Sequence, residues 1–195
     1  MIVSRSPLDD NRKGLPSVIT VPFITSEKCD EIVKSCNNNK WSEGTVFKFG
    51  QFIKAKEHRS VLVARNGLDE EVLDNIFKTI FKINSKLFRF HLDGFNEKDA
   101  PLVFKYSAER EDHYQYHTDL LIDSFIRKLS FSIQLSDPDD YEGGDLEFNP
   151  SVKEPKIRHK GNMTIFPSYM THRVTPVTRG TRYAIVGWIY GPEFK

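Results

Sequence analysis

Two histidines and an aspartate carry the clearest chemical information in this chain of 195 residues. His117 and Asp119 are separated only by Thr118. On an extended strand, residues i and i+2 project from the same side. An imidazole and a carboxylate so placed can address one point in space. Alone, the pair is a weak signal and reads more readily as a hydrogen-bonded couple at a strand end. His172, much further along, is the third member. Two histidines and one carboxylate form a facial ligand set that leaves octahedral positions open, the arrangement of non-haem Fe(II) oxygenases. A bidentate keto acid and O2 would need those positions.

Arg182 adds a fourth group. It opens the run Arg182-Tyr183-Ala184-Ile185-Val186-Gly187-Trp188, which is apolar on both faces and so expected to be buried on both. Alternation puts Arg182 on one face with Ala184, Val186 and Trp188. A buried guanidinium needs an anion, or it costs several kcal/mol. Its fork of donors matches a carboxylate. The far carboxylate of a dicarboxylate held by iron at its keto-acid end would serve. An ordinary salt bridge to Asp or Glu is the alternative.

These residues must be positioned by the elements around them. After Pro101 the chain reads as short extended runs: Leu102-Ser107, Tyr114-Thr118, Lys128-Leu135, Asp145-Phe148, Asn162-Phe166, His172-Val177 and Arg182-Tyr190. Turn signals separate several of them, including Asp137-Pro138-Asp139-Asp140, Gly143-Gly144 and Arg179-Gly180. Many short strands with polar turns predict a sandwich or double-sheet jelly roll. Before Pro101, Glu27 to Ser35 and Leu68 to Phe90 show helical spacing of apolar residues. The first is preceded by Thr25-Ser26 and ends at Asn37-Asn38-Asn39. Trp41 to Val63 reads as strands with turns. The expected architecture is mainly β with supporting helices: a jelly-roll core at 101–195 and N-terminal helices packed on one face, with 1–100 as support. The length suits one domain, 1–195.

Together the motifs resemble the 2-oxoglutarate/Fe(II) dioxygenase superfamily, and within it the prolyl 4-hydroxylase-like branch with its PKHD-type hydroxylases. The resemblance rests on His117-Thr118-Asp119, His172 and Arg182, and on the text around them. That text includes Leu135-Ser136-Asp137-Pro138-Asp139-Asp140-Tyr141-Glu142-Gly143-Gly144-Asp145-Leu146, Phe166-Pro167-Ser168, and the run from His172 through Thr175-Pro176 to Arg182. It implies a double-stranded β-helix core. It implies Fe(II) on His117, Asp119 and His172, with 2-oxoglutarate and O2 as co-substrates and ascorbate as a reductant. Arg182 would hold the distal carboxylate of 2-oxoglutarate. Substrate would be a prolyl or other residue in a peptide or protein, with a small molecule left open. One position departs from the pattern. Many prolyl hydroxylases place a tyrosine that contacts 2-oxoglutarate where this chain has Gln134. An amide can also donate to a carboxylate, and Tyr106 or Tyr114 could supply a hydroxyl instead. Packing residues are the alternative reading of both tyrosines.

Other features point away from further sites. His113 is expected to be peripheral and Arg179 solvated. Asp145 and Glu147 are expected to face solvent, opposite Leu146 and Phe148. Lys48, Lys54, Lys56, His58 and Arg59, interleaved with Phe47, Phe49 and Phe52, read as a solvated hairpin, with a substrate-gripping flap as the sharper alternative. Cys29 and Cys36 lie about 10 Å apart along one helix face, beyond disulfide reach. With 28 basic and 27 acidic residues, the chain shows no electrostatic footprint for nucleic acid or an anionic membrane. No apolar run is long enough to span a bilayer. The opening MIVSRSPLDDNRKG lacks the apolar core of a signal peptide, so a cytoplasmic protein is expected. Two other function classes use the same ligands: a cupin-like metal-binding module without redox activity, and a Zn-dependent hydrolase. Neither accounts for Arg182.

Overall fold

A computed structural model describes residues 18–38, 40–48, 51–65, 67–120, 126–149 and 158–193. The opening segment, Asn39 and Phe49 lie outside the described residues, as do the side chains of Phe47, Lys48 and Phe52. The elements run β1 (Ile19–Pro22), α1 (Ser26–Asn37), β2 (Ser42–Glu43), β3 (Val46–Lys48), β4 (Gln51–Ile53), β5 (Arg59–Ser60), β6 (Leu62–Ala64) and α2 (Glu70–Lys86). They continue as β7 (Leu102–Ser107), β8 (His113–His117), β9 (Ile126–Gln134), β10 (Tyr141–Gly143), β11 (Leu146–Phe148), β12 (Asn162–Pro167), β13 (His172–Val174) and β14 (Val177–Gly191).

Both helices begin where a side chain satisfies free backbone donors. The Thr25 hydroxyl accepts from the Lys28 N–H (3.3 Å) at the start of α1. Asp69 accepts from the Val72 N–H (2.8 Å) at the start of α2. Cys29, Ile32 and Cys36 make the buried stripe of α1, and Val72, Ile76 and Ile80 that of α2. Both cysteines are free thiols.

Strands form a major sheet in the order β1-β12-β9-β14-β7-β6-β2, with β10 also paired to β14, and a minor sheet β11-β13-β8-β5. Strands β3 and β4 make a separate hairpin. Alternation along the major sheet divides the residues between two cores. Leu129, Phe131 and Ile133 of β9, Met163 and Ile165 of β12, and Ile185 and Ile189 of β14 pack with α1 and α2. Phe104 and Tyr106 of β7 and Trp188 of β14 point the other way and meet Val174 of the minor sheet. The result is a jelly roll with both helices on the outer face of one sheet. The space between the sheets is left for the site.

The expected strand His172-Val177 proves to be two strands. β13 ends at Val174 in the minor sheet, and β14 starts at Val177 in the major one. Between them the Thr175 N–H donates to the Asp145 carbonyl (3.0 Å), and Pro176, which has no N–H to give a ladder, accepts from the Gly144 N–H (3.2 Å). This crossing lets His172 and Arg182 face one interior from opposite sheets. Asp145 also differs from expectation. Its side chain is only 13% exposed and pairs with Arg158 Nε at 2.7 Å, because Arg158 folds over the β10–β11 turn. Glu147, 40% exposed, pairs with Arg173.

Candidate active site

His117 is the last residue of β8, and Asp119 lies just beyond the strand end. The Asp119 N–H donates to the Ser168 carbonyl (2.9 Å), which fixes the short extension that the pair needs. His172 opens β13 and lies directly across from His117 in the ladder. The structure thus brings all three residues together: their ligand atoms lie within 4.8 Å of one another. His117 Nε2 is 3.5 Å from Asp119 Oδ1, and His172 Nε2 is 3.4 Å from Asp119 Oδ2.

Both imidazoles are held in the same way. His117 Nδ1 meets the Gln115 carbonyl at 2.7 Å, and His172 Nδ1 meets the Met170 carbonyl at 2.9 Å. A carbonyl can only accept, so each Nδ1 donates to it, and Nε2 is the atom that each ring turns to the cluster. Ser130 Oγ donates to Asp119 Oδ2 (2.8 Å) and also meets Ser168 Oγ (2.9 Å). Partners behind the ligand atoms orient them, as they do in metal sites generally. Burial lowers the His172 pKa, with His117 adding to the effect against the pull of Asp119. A neutral imidazole is the form that binds a metal. Burial pushes the Asp119 carboxyl up, but the histidines in their protonated form, a hydrogen bond from His117, and Arg127 outweigh it and hold the group well below the usual carboxylate range.

A cleft of about 620 Å³ opens onto this cluster. Arg182, 4% exposed, lines it from β14. Its Nε donates to Gln134 Oε1 (3.1 Å), and its guanidinium carbon lies 5.5 Å from the centre of the Tyr106 ring. Among the described residues no carboxylate pairs with it, so the salt-bridge alternative has no partner there. Tyr106 lines the cleft beside it. Burial pushes the Tyr106 phenol up to about 12, so it keeps its proton despite the opposing pull of Arg59 and Arg182. Tyr114 also lines the cleft, stacked on the His117 ring with centroids 3.5 Å apart and planes at 14°. Gln134 does not line the cleft; it sits behind Arg182.

His113 stands apart, with its ring nitrogens at the Glu111 and Glu57 carbonyls, and Arg179 pairs with Glu142 on the surface. The sequence reading missed Arg127. It lines the cleft, lies 3.7 Å from the Trp188 ring centre, and bonds to Asp99 (Nε, 2.9 Å) and the Tyr190 hydroxyl (3.1 Å). Plain alternation would put Arg127 with Leu129 and Phe131 on the helix side. A register shift opposite Ile189 and Tyr190 skips Lys128 and turns Arg127 inward.

Comparison with known proteins agrees with this geometry. Residues 102–190 match the model of the 2OG-Fe(II) oxygenase superfamily. A PKHD-type hydroxylase of Stutzerimonas stutzeri is 30% identical over 162 residues, 76% of this chain and 67% of that protein. The chain belongs to the 2OG-Fe(II) oxygenase superfamily. A PKHD-type hydroxylase of Hyphomonas neptunium is 42% identical over 98 residues, 47% of this chain and 43% of that protein. The chain therefore spans less than half the length of some curated relatives it matches. Among solved structures, a prolyl hydroxylase from Trichoplax adhaerens in complex with a hypoxia inducible factor oxygen degradation domain peptide fragment superposes with a TM-score of 0.70. It is 20% identical, with 89% of this chain and 83% of that chain covered. The Pseudomonas putida prolyl-4-hydroxylase gives 0.67 at 18% identity, covering 91% and 94%. These two share the fold. No helix among the described residues is long and apolar enough to cross a membrane.

Proposed function

We propose that the protein is an Fe(II)- and 2-oxoglutarate-dependent dioxygenase that hydroxylates a residue, in the first instance prolyl, in a peptide or protein, with release of succinate and CO2. One observation carries this reading. A two-histidine, one-carboxylate cluster and a buried arginine without a carboxylate partner among the described residues open onto the same cleft. The cluster fits Fe(II) by its donor set, and the arginine fits a dicarboxylate by its fork. The same reading treats residues 1–195 as one catalytic domain, since α1 and α2 share their core with the major sheet.

In this mechanism His117, Asp119 and His172 would hold the metal. Bound Fe(II) would supply O2 activation coupled to oxidative decarboxylation of the keto acid. Asp119 contributes negative charge, and the two Nδ1 contacts keep both Nε2 atoms directed inward. Arg182 would receive the distal carboxylate of 2-oxoglutarate on its terminal nitrogens, its Nε being engaged by Gln134. Tyr106 offers a hydroxyl beside it. Among the described residues, Arg59 Nε and Trp188 Nε1 are buried and have no hydrogen-bond partner, and both residues line the cleft. An unsatisfied buried donor costs about 1–3 kcal/mol, a cost that acceptor groups of an entering substrate would relieve. Peptide carbonyls are such acceptors, and a peptide is bound to the Trichoplax adhaerens prolyl hydroxylase of the same fold. Ascorbate would serve as an external reductant.

The test is an anaerobic titration of metal-free protein with Fe(II) and then 2-oxoglutarate, followed by a screen of peptides for O2-dependent succinate release. A visible charge-transfer band that needs both additions supports the chelate. Iron binding without the band would return the site to a metal-binding module.

A further inference from the structure

Gln134, at the position where many prolyl hydroxylases resembling this chain carry a tyrosine, is tied to two other buried residues. Gln134 Nε2 donates to the Tyr141 hydroxyl oxygen at 2.8 Å, while Gln134 Oε1 accepts from Arg182 Nε at 3.1 Å. Arg182, Gln134 and Tyr141 are 4%, 3% and 1% exposed. Neither Gln134 nor Tyr141 lines the cleft.

The chemistry fixes the direction of this chain. An arginine Nε–H can only donate, so Gln134 must turn its carbonyl to Arg182. Its amide nitrogen then needs an acceptor on the opposite side, and the Tyr141 oxygen is there at 2.8 Å, much nearer than the Ser136 carbonyl at 3.5 Å. A flipped amide would set N–H against N–H at Arg182. Tyr141 is itself held. The Arg158 guanidinium lies 4.9 Å from its ring centre and is anchored to Asp145 and to the Gly143 carbonyl. On the other side, Gly144 (φ +61°) leaves room for the Arg182 stem, since a Cβ there would lie 3.0 Å from Arg182 Cδ. We propose that Tyr141 is a positioning residue that acts through Gln134 on Arg182, holding its Nε so that both terminal nitrogens face the cleft for a distal carboxylate. This rests on the reading of Arg182 as the 2-oxoglutarate residue.

The experiment is calorimetric binding to the full chain loaded with Mn(II), a redox-inert stand-in for iron. Two keto acids are compared: 2-oxoglutarate, and 2-oxobutyrate, which lacks the distal carboxylate. Tyr141→Phe should weaken 2-oxoglutarate about tenfold, the scale of one buried hydrogen-bond link, and leave 2-oxobutyrate unchanged. Gln134→Glu, which would pair with Arg182 and occupy its charge, should weaken 2-oxoglutarate further with the same selectivity, and it decides the matter if Tyr141→Phe does not fold. Unchanged 2-oxoglutarate affinity, or equal loss for both keto acids, overturns the proposal while the function stands. A wild-type protein that binds Mn(II) and no 2-oxoglutarate overturns both.

Discussion

The two sheets that enclose the cleft follow different rules. Through its middle the major sheet alternates regularly. Arg182, Val186 and Trp188 point inward while Ile185 and Ile189 point to the helices. The minor sheet is short and irregular. Its β13–β8 ladder shifts register between His172 and Val174, so two steps on one strand oppose three on the other. That shift brings Tyr114 to the same side as His117, where their rings stack, although strict alternation would separate residues three apart. A regular strand supplies a fixed row of anchors. A bulge re-aims one residue at a chosen point. The end of the cleft that would bind co-substrate is built the first way, and the rim around the candidate metal ligands the second.

If that division is functional, damage at the two ends should differ in kind. The largest effect is expected at the ligands. His117→Ala or Asp119→Ala should abolish stoichiometric Fe(II) binding and reduce 2-oxoglutarate-dependent succinate formation to background; turnover at the wild-type rate in either variant would sink the ligand assignment. At the other end, Arg182→Ala should retain Fe(II) and raise the KM for 2-oxoglutarate about 10- to 100-fold, the range for losing a charge-assisted pair. Steady-state kinetics would show this, and an unchanged KM would remove Arg182 from that role.

The same contrast explains what was legible in the sequence. The helices, the jelly roll and the inward, buried face of Arg182 followed from periodicity, because regular elements repeat their pattern. The grouping of His117, Asp119 and His172 followed from residue type, spacing and family resemblance. Arg127 and the Tyr114–His117 stack were not legible, because each depends on a register shift that leaves no periodic trace. The break at Thr175-Pro176 was hidden for another reason. His172-Val177 reads as one strand, and only the pairing partners show that its two ends belong to different sheets, while β14 runs on through Arg179-Gly180, where a turn was expected. Gln134 stands out in the sequence by its departure from the pattern of many prolyl hydroxylases, but its contact with Tyr141 spans the turn that begins at Asp137 and is set by the fold, not by local sequence.

A smaller effect tests the packing at the regular end. Gly144 lies at φ +61°, a conformation that costs a residue with a Cβ, and its added methyl would meet Arg182 Cδ and Val177 Cγ2 at 3.0 Å. Gly144→Ala should lower stability by about 1–2 kcal/mol and raise the KM for 2-oxoglutarate by shifting Arg182, with Fe(II) affinity unchanged. Loss of Fe(II) together with the KM effect would show that the two ends are not independent.

The smallest expected effect lies outside both ends. Asp69 caps α2, whose Val72, Ile76 and Ile80 pack on the outer face of the major sheet. Asp69→Ala removes the acceptor for the Val72 N–H and an ion pair with Lys28 that is half exposed on the Asp69 side. The cap should account for most of a loss of about 1 kcal/mol, and the exposed pair for little of it. Thermal melting should therefore shift down by a few degrees, roughly the amount such a loss produces in a domain of this size. The KM for 2-oxoglutarate should stay where it was, because the inward row on β14 is set by its ladders to β7 and β9, which this change does not touch. A KM that rose with the melting shift would mean that Arg182 is positioned by the helix layer as well as by its own sheet.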